Sequence, residues 1–302
     1  MNYNKSWIDH SKQIERLKQR GLLISDDASA IAVLKNISYY RLAGYWWSMQ
    51  VDKTNHLFKP NSTFENVIAI YNFDRELRIV LFDAIEKIEI AFRTRLIYHL
   101  SAEISPWWFE DPSIFKDSGE YKDTLSSIDR ELKTTREVFI REHYKKYNTD
   151  NRRPPAWKTI EVASFGNISK LYGNLKPTIK SKDIIARELG TVNHTFLPSW
   201  LQSITQVRNI CAHHGRLWNK NLPGRPKLLS KPPLPWLNNV PQQGEFSKLY
   251  IHLCCMKYLI NATNQENDLT RRISDLLIKY PNIDINALGI KKDWQTEPLW
   301  QR

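Results

Sequence analysis

Residues 63–100 read TFENVIAIYNFDRELRIVLFDAIEKIEIAFRTRLIYHL and carry the strongest periodic pattern in the chain. Opposite charges lie four positions apart at Asp74 and Arg78 and again at Glu89 and Arg93, a spacing that stabilises a helix. The stretch predicts one helix about 55 Å long, or a kinked pair of helices. Its apolar residues recur every three or four positions, as on one helix face: Leu77, Leu81, Ile85, Ile88, Phe92 and Leu96.

The rest of the chain continues this helical character. Gly21 is a candidate helix stop and Ser25 a candidate N-cap. Residues 56–66 indicate a loop, with a short hairpin as an alternative. We predict an all-α fold with residues 1–302 in a single domain, in which residues 63–100 and 196–214 pack side by side at the centre and the helices of 245–280 complete one core. The predicted further helices cover residues 11–21, 25–37, 119–147, 156–174, 180–189, 196–214, 246–263 and 266–281.

Composition excludes several classes of protein. Three cysteines without a CxxC pair form neither a disulfide framework nor a zinc motif. No run of 18 apolar residues occurs, so no membrane span or membrane partner is expected, and the N-terminus lacks a signal-peptide pattern. We therefore expect a cytoplasmic protein. Without a glycine-rich phosphate loop, a nucleotide-driven enzyme is disfavoured and no cofactor is expected.

The net charge of +12 favours a polyanionic partner, and its distribution sharpens that expectation. Residues 189–244, the acid-free segment, contain no aspartate or glutamate. Six prolines between Pro223 and Pro241 form a loop with Trp236, which packs on the core or docks a partner. The cations of the segment are Arg208, Arg216, Lys220, Arg225, Lys227 and Lys231.

Within the acid-free segment, residues 208–219 read RNICAHHGRLWN. On a helix over 196–214, Asn209 and His213 fall on the polar face, whereas His214 continues the apolar stripe and is expected to be a hydrogen-bonded core histidine. Arg208 lies about 140° around that helix from His213. Either the helix bends near Cys211, or a second copy of the chain completes the site across a two-fold axis.

A histidine and an arginine suit RNA cleavage by the substrate's own 2′-hydroxyl. Histidine transfers protons near neutral pH, and arginine binds phosphate bidentately. No metal is required, and DNA would survive because it lacks the hydroxyl. A metal site formed by Cys211, His213 and His214 is disfavoured because adjacent helix positions diverge by about 100°. Cys254 and Cys255, in an apolar helix, are expected in the core.

A second basic stretch, residues 141–158, interleaves aromatic residues with cations and is called the basic-aromatic segment here. Its composition indicates either RNA contact through stacking and charge or a solvated surface, and both interpretations remain open. The residues concerned are Tyr144, Lys145, Lys146, Tyr147, Arg152, Arg153 and Trp157.

Three stretches in order resemble the Abi-type abortive-infection proteins of the HEPN superfamily: YYRLAGYWW at 39–47, FDRELRIVLFDAIEKIEIAFRTRL at 73–96, and RNICAHHGRLWN at 208–219. The resemblance covers roughly residues 25–230. It implies a HEPN-like helical bundle, often a homodimer, that acts as a metal-independent ribonuclease in phage defence. Some members of that superfamily are inactive RNA binders, so a non-catalytic protein that holds RNA is the alternative. A regulatory RNA or an antitoxin is a further possible partner.

Carried over by position, the R-x(4–6)-H motif of the family falls on Arg208 and His213, with Asn209 as the polar residue after the arginine. The spacing also admits His214 as the motif histidine, but the position on the helix face favours His213. Arg216 and Lys220 follow as candidate RNA contacts. Arg93 and His99 also match the motif spacing. We interpret them as a salt bridge to Glu89 and a core histidine, with Arg93 as a phosphate-binding helper the alternative. A DNA-binding regulator is less favoured because no helix-turn-helix pattern stands out.

Overall fold

The computed structural model describes residues 6–229, 231–264 and 266–301, and within them it is mainly α-helical, as predicted. Twelve α-helices occur among these residues, and their only sheet is a two-stranded hairpin. In the same residues, no helix has both the length and the apolar character that crossing a bilayer requires. The chain divides into two compact units, residues 1–78 with 275–283 and residues 79–274 with 284–302.

The first unit begins with three short helices, α1 (His10–Gln19), α2 (Asp27–Asn36) and α3 (Tyr39–Trp46). Gly21 follows α1 in the left-handed region at φ 90°, which confirms it as the helix stop. The predicted N-cap at Ser25 is wrong. Asp26 caps α2 by accepting from the amides of Ala28 and Ser29, because the Ser25 hydroxyl donates to Glu65 instead.

A hairpin of β1 (Gln50–Asp52) and β2 (Leu57–Phe58) precedes the long helix α4 (Phe64–Glu103). Of the two alternatives, one long helix or a kinked pair, the structure has one helix, whose 40 residues span about 60 Å. Asp74 and Arg78 form a buried ion pair, and the Tyr45 hydroxyl donates to the Asp74 carboxylate at 2.8 Å. The buried charges of Asp74 and Arg78 are therefore paired and hydrogen-bonded inside the first unit.

The second unit contains the later part of α4 and most of the remaining helices. The stretch predicted as one helix over 119–147 divides into two, because Thr135 and Glu137 adopt extended backbone and the Thr134 hydroxyl donates back to the Arg130 carbonyl. The helices are α5 (Ser118–Thr134), α6 (Val138–Lys146), α7 (Ala156–Val162), α8 (Phe165–Asn174), α9 (Lys180–Glu188), α10 (Leu197–Ala212), α11 (Leu249–Thr263) and α12 (Leu269–Lys279). The end of α12, from residue 275 onward, belongs to the first unit.

Helix α11 forms the centre of the second unit, since every residue from 249 to 261 is buried. We predicted that residues 196–214 would pack beside residues 63–100; the main packing partners of α10 are instead α8 and α11. The proline-rich loop packs on this core through Trp236, whose ring stacks on Trp200 with centroids 5.5 Å apart. One face of α10 is thereby covered, and its opposite face remains at the surface.

Candidate functional site

The candidate site lies where α10 ends. His213 is the C-cap, and His214 follows in the left-handed region at φ 55°. The Gly215 amide donates to the Ile210 carbonyl at 2.7 Å and the His214 amide to that of Cys211 at 3.1 Å, the paired bonds of a Schellman turn. A Cβ at position 215 would lie 3.1 Å from the Ile210 side chain, so glycine allows this close approach.

The turn determines how the two histidines are presented. Asn209 and His213 are exposed, as the helical pattern predicted, and the inner face with Trp200, Ile204 and Val207 is buried. The expectation that His214 is a core histidine is wrong, because His214 is exposed. The helix ends two residues earlier than predicted, and the left-handed turn takes His214 off the apolar stripe.

Arg208 points to a surface cleft rather than to His213. Its side chain is 31% exposed, and its Nε lies 3.9 Å from the nearer carboxylate oxygen of Glu89 on α4. That Nε has no hydrogen-bond partner within the described part of the chain. The cleft, about 310 Å³ in volume, is called the Arg208 cleft and is lined by Phe82, Ile85, Glu86, Glu89, Ile90, Arg93 and Arg208.

Arg93 occupies the inner side of the Arg208 cleft and is bound within the protein. Its guanidinium pairs with Glu89 at 2.6 Å and donates to the backbone carbonyls of Ile160 and Ala163. The predicted salt bridge is therefore confirmed. His99 is only 16% exposed at its side chain, and its Nε2 lies 2.9 Å from Glu188. Both residues of the second motif match are thus paired with carboxylates, Arg93 with Glu89 and His99 with the exposed Glu188, so His99 lies at the edge of the core rather than within it.

Across residues 6–229, 231–264 and 266–301, no hydrogen bond or ion pair joins Arg208 to His213. The two side chains leave different faces of α10, in agreement with the helical spacing. After the turn, the Arg216 guanidinium donates to the carbonyls of Trp218 and Asn219, at 3.0 and 3.4 Å, and so braces the loop. Lys220 is partly buried beside it.

The basic-aromatic segment separates into free and paired cations. Lys145 and Lys146 are exposed at the end of α6, and Lys146 Nζ lies 5.4 Å from the ring centroid of Tyr147. The rings of Tyr144, Tyr147 and Trp157 in the same segment are also exposed. In the described chain, neither lysine has a carboxylate within salt-bridge distance. These residues therefore retain both positive charge and stacking surface for a ligand.

The two arginines of the basic-aromatic segment are used within the protein. Arg152 pairs with Asp150 at 2.7 Å and lies 3.7 Å over the Trp107 ring. Arg153 binds both oxygens of Asp129, at 2.6 and 2.8 Å, and lies 3.4 Å from Glu110. The Asp129 carboxylate raises the pKa of Arg153, so this cation is held in a structural ion pair.

Cys211, Cys254 and Cys255 are buried and take part in no disulfide among the described residues, and the core position of Cys254 and Cys255 is confirmed. Burial raises the pKa of both thiols, as expected for core cysteines. Among the described residues, no three metal-ligating side chains of the His, Cys, Asp and Glu types cluster together.

The sequence interpretation missed a buried polar pair on the inner face of α10. Ser203 and His252 are both fully buried, and the Ser203 hydroxyl hydrogen-bonds to His252 Nδ1. Burial lowers the pKa of His252 to about 4, so the ring is neutral at pH 7. The sequence did offer one indication of this pair, a histidine within the mostly apolar stretch YIHLCCMKYL, because a buried polar side chain needs a hydrogen-bond partner.

A family model described as Abi-like protein matches residues 32–219. No match was found among curated proteins or among solved structures. The matched range includes α4, α10 and the Schellman turn with its two histidines, and it exceeds half of the chain. The chain therefore belongs to the Abi-like protein family.

Proposed function

We propose that the protein is a metal-independent endoribonuclease of a bacterial phage-defence system, of the HEPN type. The observation that carries this proposal is the end of α10. The turn leaves Asn209 and His213 exposed while Arg208 lines a surface cleft, all within a segment of the chain that lacks carboxylates. The family suggests the abortive-infection context.

In this proposal each residue has a defined task. The 2′-oxygen of the substrate attacks the adjacent phosphorus, and the bond from phosphorus to the 5′-oxygen breaks. The products are a 2′,3′-cyclic phosphate and a 5′-hydroxyl. His213 transfers protons between the attacking and leaving oxygens, Arg208 binds the scissile phosphate, and Asn209 orients the histidine or the RNA.

Two copies of the chain would complete this site. Arg208 and His213 leave different faces of α10, so the arginine of one protomer is proposed to meet the histidine of its partner across a two-fold axis. The Arg208 cleft is bordered by exposed apolar side chains, with Phe82 41% and Ile90 55% exposed. Burial of these side chains against a second copy would stabilise a homodimer.

The direct test incubates the purified protein with RNA and, separately, with DNA in excess chelator. We expect loss of RNA only, with 2′,3′-cyclic phosphate and 5′-hydroxyl ends, and no cleavage by His213→Ala. His214→Gly is the matched control, because glycine is favoured in the left-handed position and keeps the turn. Products with 5′-phosphate ends, or a strict requirement for magnesium, would contradict the mechanism.

The shared site has its own test. Arg208→Ala and His213→Ala chains, each inactive alone, are mixed and the heterodimers isolated with two affinity tags. One of the two sites then contains an intact pair, so about half of the wild-type activity per dimer should return. Verified heterodimers as inactive as either parent would contradict the arrangement in trans.

A second candidate is a non-catalytic protein that holds RNA, or that a partner RNA or antitoxin regulates. The position of Arg208 near Glu89 favours it, because that carboxylate partly offsets the charge that a phosphate would use. Tight binding of RNA without turnover, unchanged by His213→Ala, would support this candidate over the enzyme.

A further inference from the structure

A second cavity, separate from the Arg208 cleft, opens beside the first half of α10. Its volume is about 620 Å³, within the usual range for ligand sites. Helices α8 and α10 form its walls, and four lysines from different parts of the chain line it: Lys116, Lys170, Lys182 and Lys227. We call this cavity the lysine pocket.

The charge of the lysine pocket is strongly one-sided. Among the described residues, Glu120 is the only carboxylate that lines it, against four lysines. Lys116, Lys170 and Lys227 are exposed, and in the described part of the chain none has a carboxylate within salt-bridge distance. Like charges gathered in one concave site attract anions more strongly than the same charges spread over a surface.

Lys182 places a cation at the back of the pocket. Its side chain is buried, and its Nζ donates to the carbonyls of Gly173 and Leu175. Burial, with a smaller contribution from Lys116, lowers the pKa of Lys182 to about 8, so the group remains mostly charged at pH 7. An anion in the pocket would offset the repulsion between these two lysines.

The lining also indicates which part of a ligand is recognised. Among its described lining residues there is no tryptophan, tyrosine or phenylalanine, and its one ring, the His194 imidazole, is held by Asp183 at 2.7 Å, so the pocket offers little surface on which a base could stack. Gln202, exposed on α10, adds an uncharged amide donor. Lysine ammonium groups and an amide suit phosphate oxygens, which points to the backbone of a nucleic acid rather than to its bases.

The pocket and the candidate site lie on the same side of α10. Gln202, Gln206, Asn209 and His213 recur every three or four positions along one face. From Gln202 to His213 the axial distance is roughly 16 Å, the reach of a few nucleotides. A strand with one phosphate at His213 would therefore meet the lysine pocket with its neighbouring phosphates.

We propose that the lysine pocket binds successive backbone phosphates of the RNA strand whose scissile phosphate lies at His213, an inference that rests on the proposed ribonuclease function. The pocket sets position along the strand without reading bases. Its contribution to binding is therefore expected to be equal for RNAs of different sequence and to weaken as salt concentration rises.

The test measures binding by the full chain carrying His213→Ala, with labelled single-stranded RNA of about 12 nucleotides at several salt concentrations. The pocket variant adds Lys116→Gln, Lys170→Gln and Lys227→Gln. The matched control adds Lys122→Gln, Lys133→Gln and Lys291→Gln, the same charge change at exposed lysines outside the pocket. All six lysines are exposed, so both variants are expected to fold.

We expect the pocket variant to bind about tenfold more weakly or worse, and its slope of log K against log salt to fall by about 2, since each phosphate contact in a single strand contributes about 0.7. The control should change affinity by less than about threefold. Equal affinity and slope in the two variants would overturn the proposal, even if cleavage occurs. Pocket-dependent binding without cleavage in the parent chain would support the pocket and reject the catalytic function.

Inorganic tripolyphosphate and ATP serve as competitors that separate an RNA site from a site for a free nucleotide. For an RNA site, we expect tripolyphosphate to compete only weakly and ATP no better than tripolyphosphate, because no base is recognised. Tight binding of ATP together with no pocket-dependent binding of RNA would overturn the proposal in favour of a free nucleotide.

Discussion

The two basic parts of this molecule differ in what their cations contact. In the basic-aromatic segment, Arg153 is held by Asp129 and Glu110, and Arg152 by Asp150. In the acid-free segment, the guanidinium of Arg208 comes no closer than 3.9 Å to the one carboxylate it meets among the described residues. The first set of charges is already neutralised, whereas Arg208 retains capacity for an external anion.

A basic composition and an available positive field are therefore separate properties of a protein. An arginine bound bidentately by a carboxylate stabilises the fold and contributes little to ligand attraction. The carboxylates that neutralise Arg153 come from positions 110 and 129, distant in sequence.

Replacement of Arg208 should affect function without affecting stability. We expect Arg208→Ala to lower RNA cleavage by about 100- to 1000-fold, as for removal of a group that stabilises transition-state charge. The free energy of unfolding should change by less than about 0.5 kcal/mol, because the side chain is partly exposed and weakly paired. Cleavage rates and urea denaturation measure the two effects. If the variant unfolds more easily but cleaves RNA normally, Arg208 stabilises the fold, as Arg153 does, and has no part in cleavage.

Acid should destabilise the fold through protonation of His252, the buried histidine that hydrogen-bonds to Ser203 on the inner face of α10. The pKa of His252 is about 4 in the fold and about 6.5 in an unfolded chain, so protons bind the unfolded state first. Stability should therefore fall as pH decreases from about 6.5 to 4, by up to about 3 kcal/mol, and this loss should level off below. Buried His143, whose pKa burial also lowers, adds in the same direction.

Urea denaturation at pH 7.0 and at pH 5.0 measures this loss. His252→Asn keeps a polar partner for Ser203 but cannot be protonated there, so its stability should depend less on pH. An equal pH dependence in this variant would contradict the assignment to His252.

Arg153 should show the opposite behaviour to Arg208. Removal of its bidentate pair with Asp129 in Arg153→Ala is expected to lower the free energy of unfolding by about 1–2 kcal/mol, with cleavage retained. Arg152→Ala is the control, because Arg152 is exposed and its ion pair is screened by solvent, so its loss should change the free energy of unfolding much less than the loss of Arg153. Chemical denaturation distinguishes them. If both variants keep full stability and lose RNA binding, the arginines are ligand contacts.

The smallest effect is expected for the free lysines of the basic-aromatic segment. Lys145→Gln with Lys146→Gln should weaken RNA binding a few-fold and lower the salt slope by about 1.4, the value for two phosphate contacts. Lys291→Gln with Lys292→Gln is the matched control, an adjacent exposed pair elsewhere in the chain. Identical binding by the two variants would mean that residues 145 and 146 form a solvated surface.

Much of the fold was predictable because helical periodicity is a local property. The apolar spacing of residues 77–96 indicated α4, and the inner face of α10 was placed correctly through Trp200, Ile204 and Val207. Helix ends were predicted less well. The N-cap of α2 was predicted at Ser25 and lies at Asp26. Helix α10 ends at Ala212, two residues before the predicted end, because the chain forms a Schellman turn with His214 in the left-handed position.

The sequence by itself determined the helical class, the buried face of each long helix and the exposure of Asn209 and His213, since all of these follow from spacing along the chain. The packing of the helices settles which of the remaining cations are neutralised within the protein. Arg153 pairs with Asp129, Arg93 donates to the carbonyls of Ile160 and Ala163, and four lysines distant in sequence line one pocket. The physical reason is that electrostatic interaction depends on distance in space, and residues far apart in sequence become neighbours only when the helices pack.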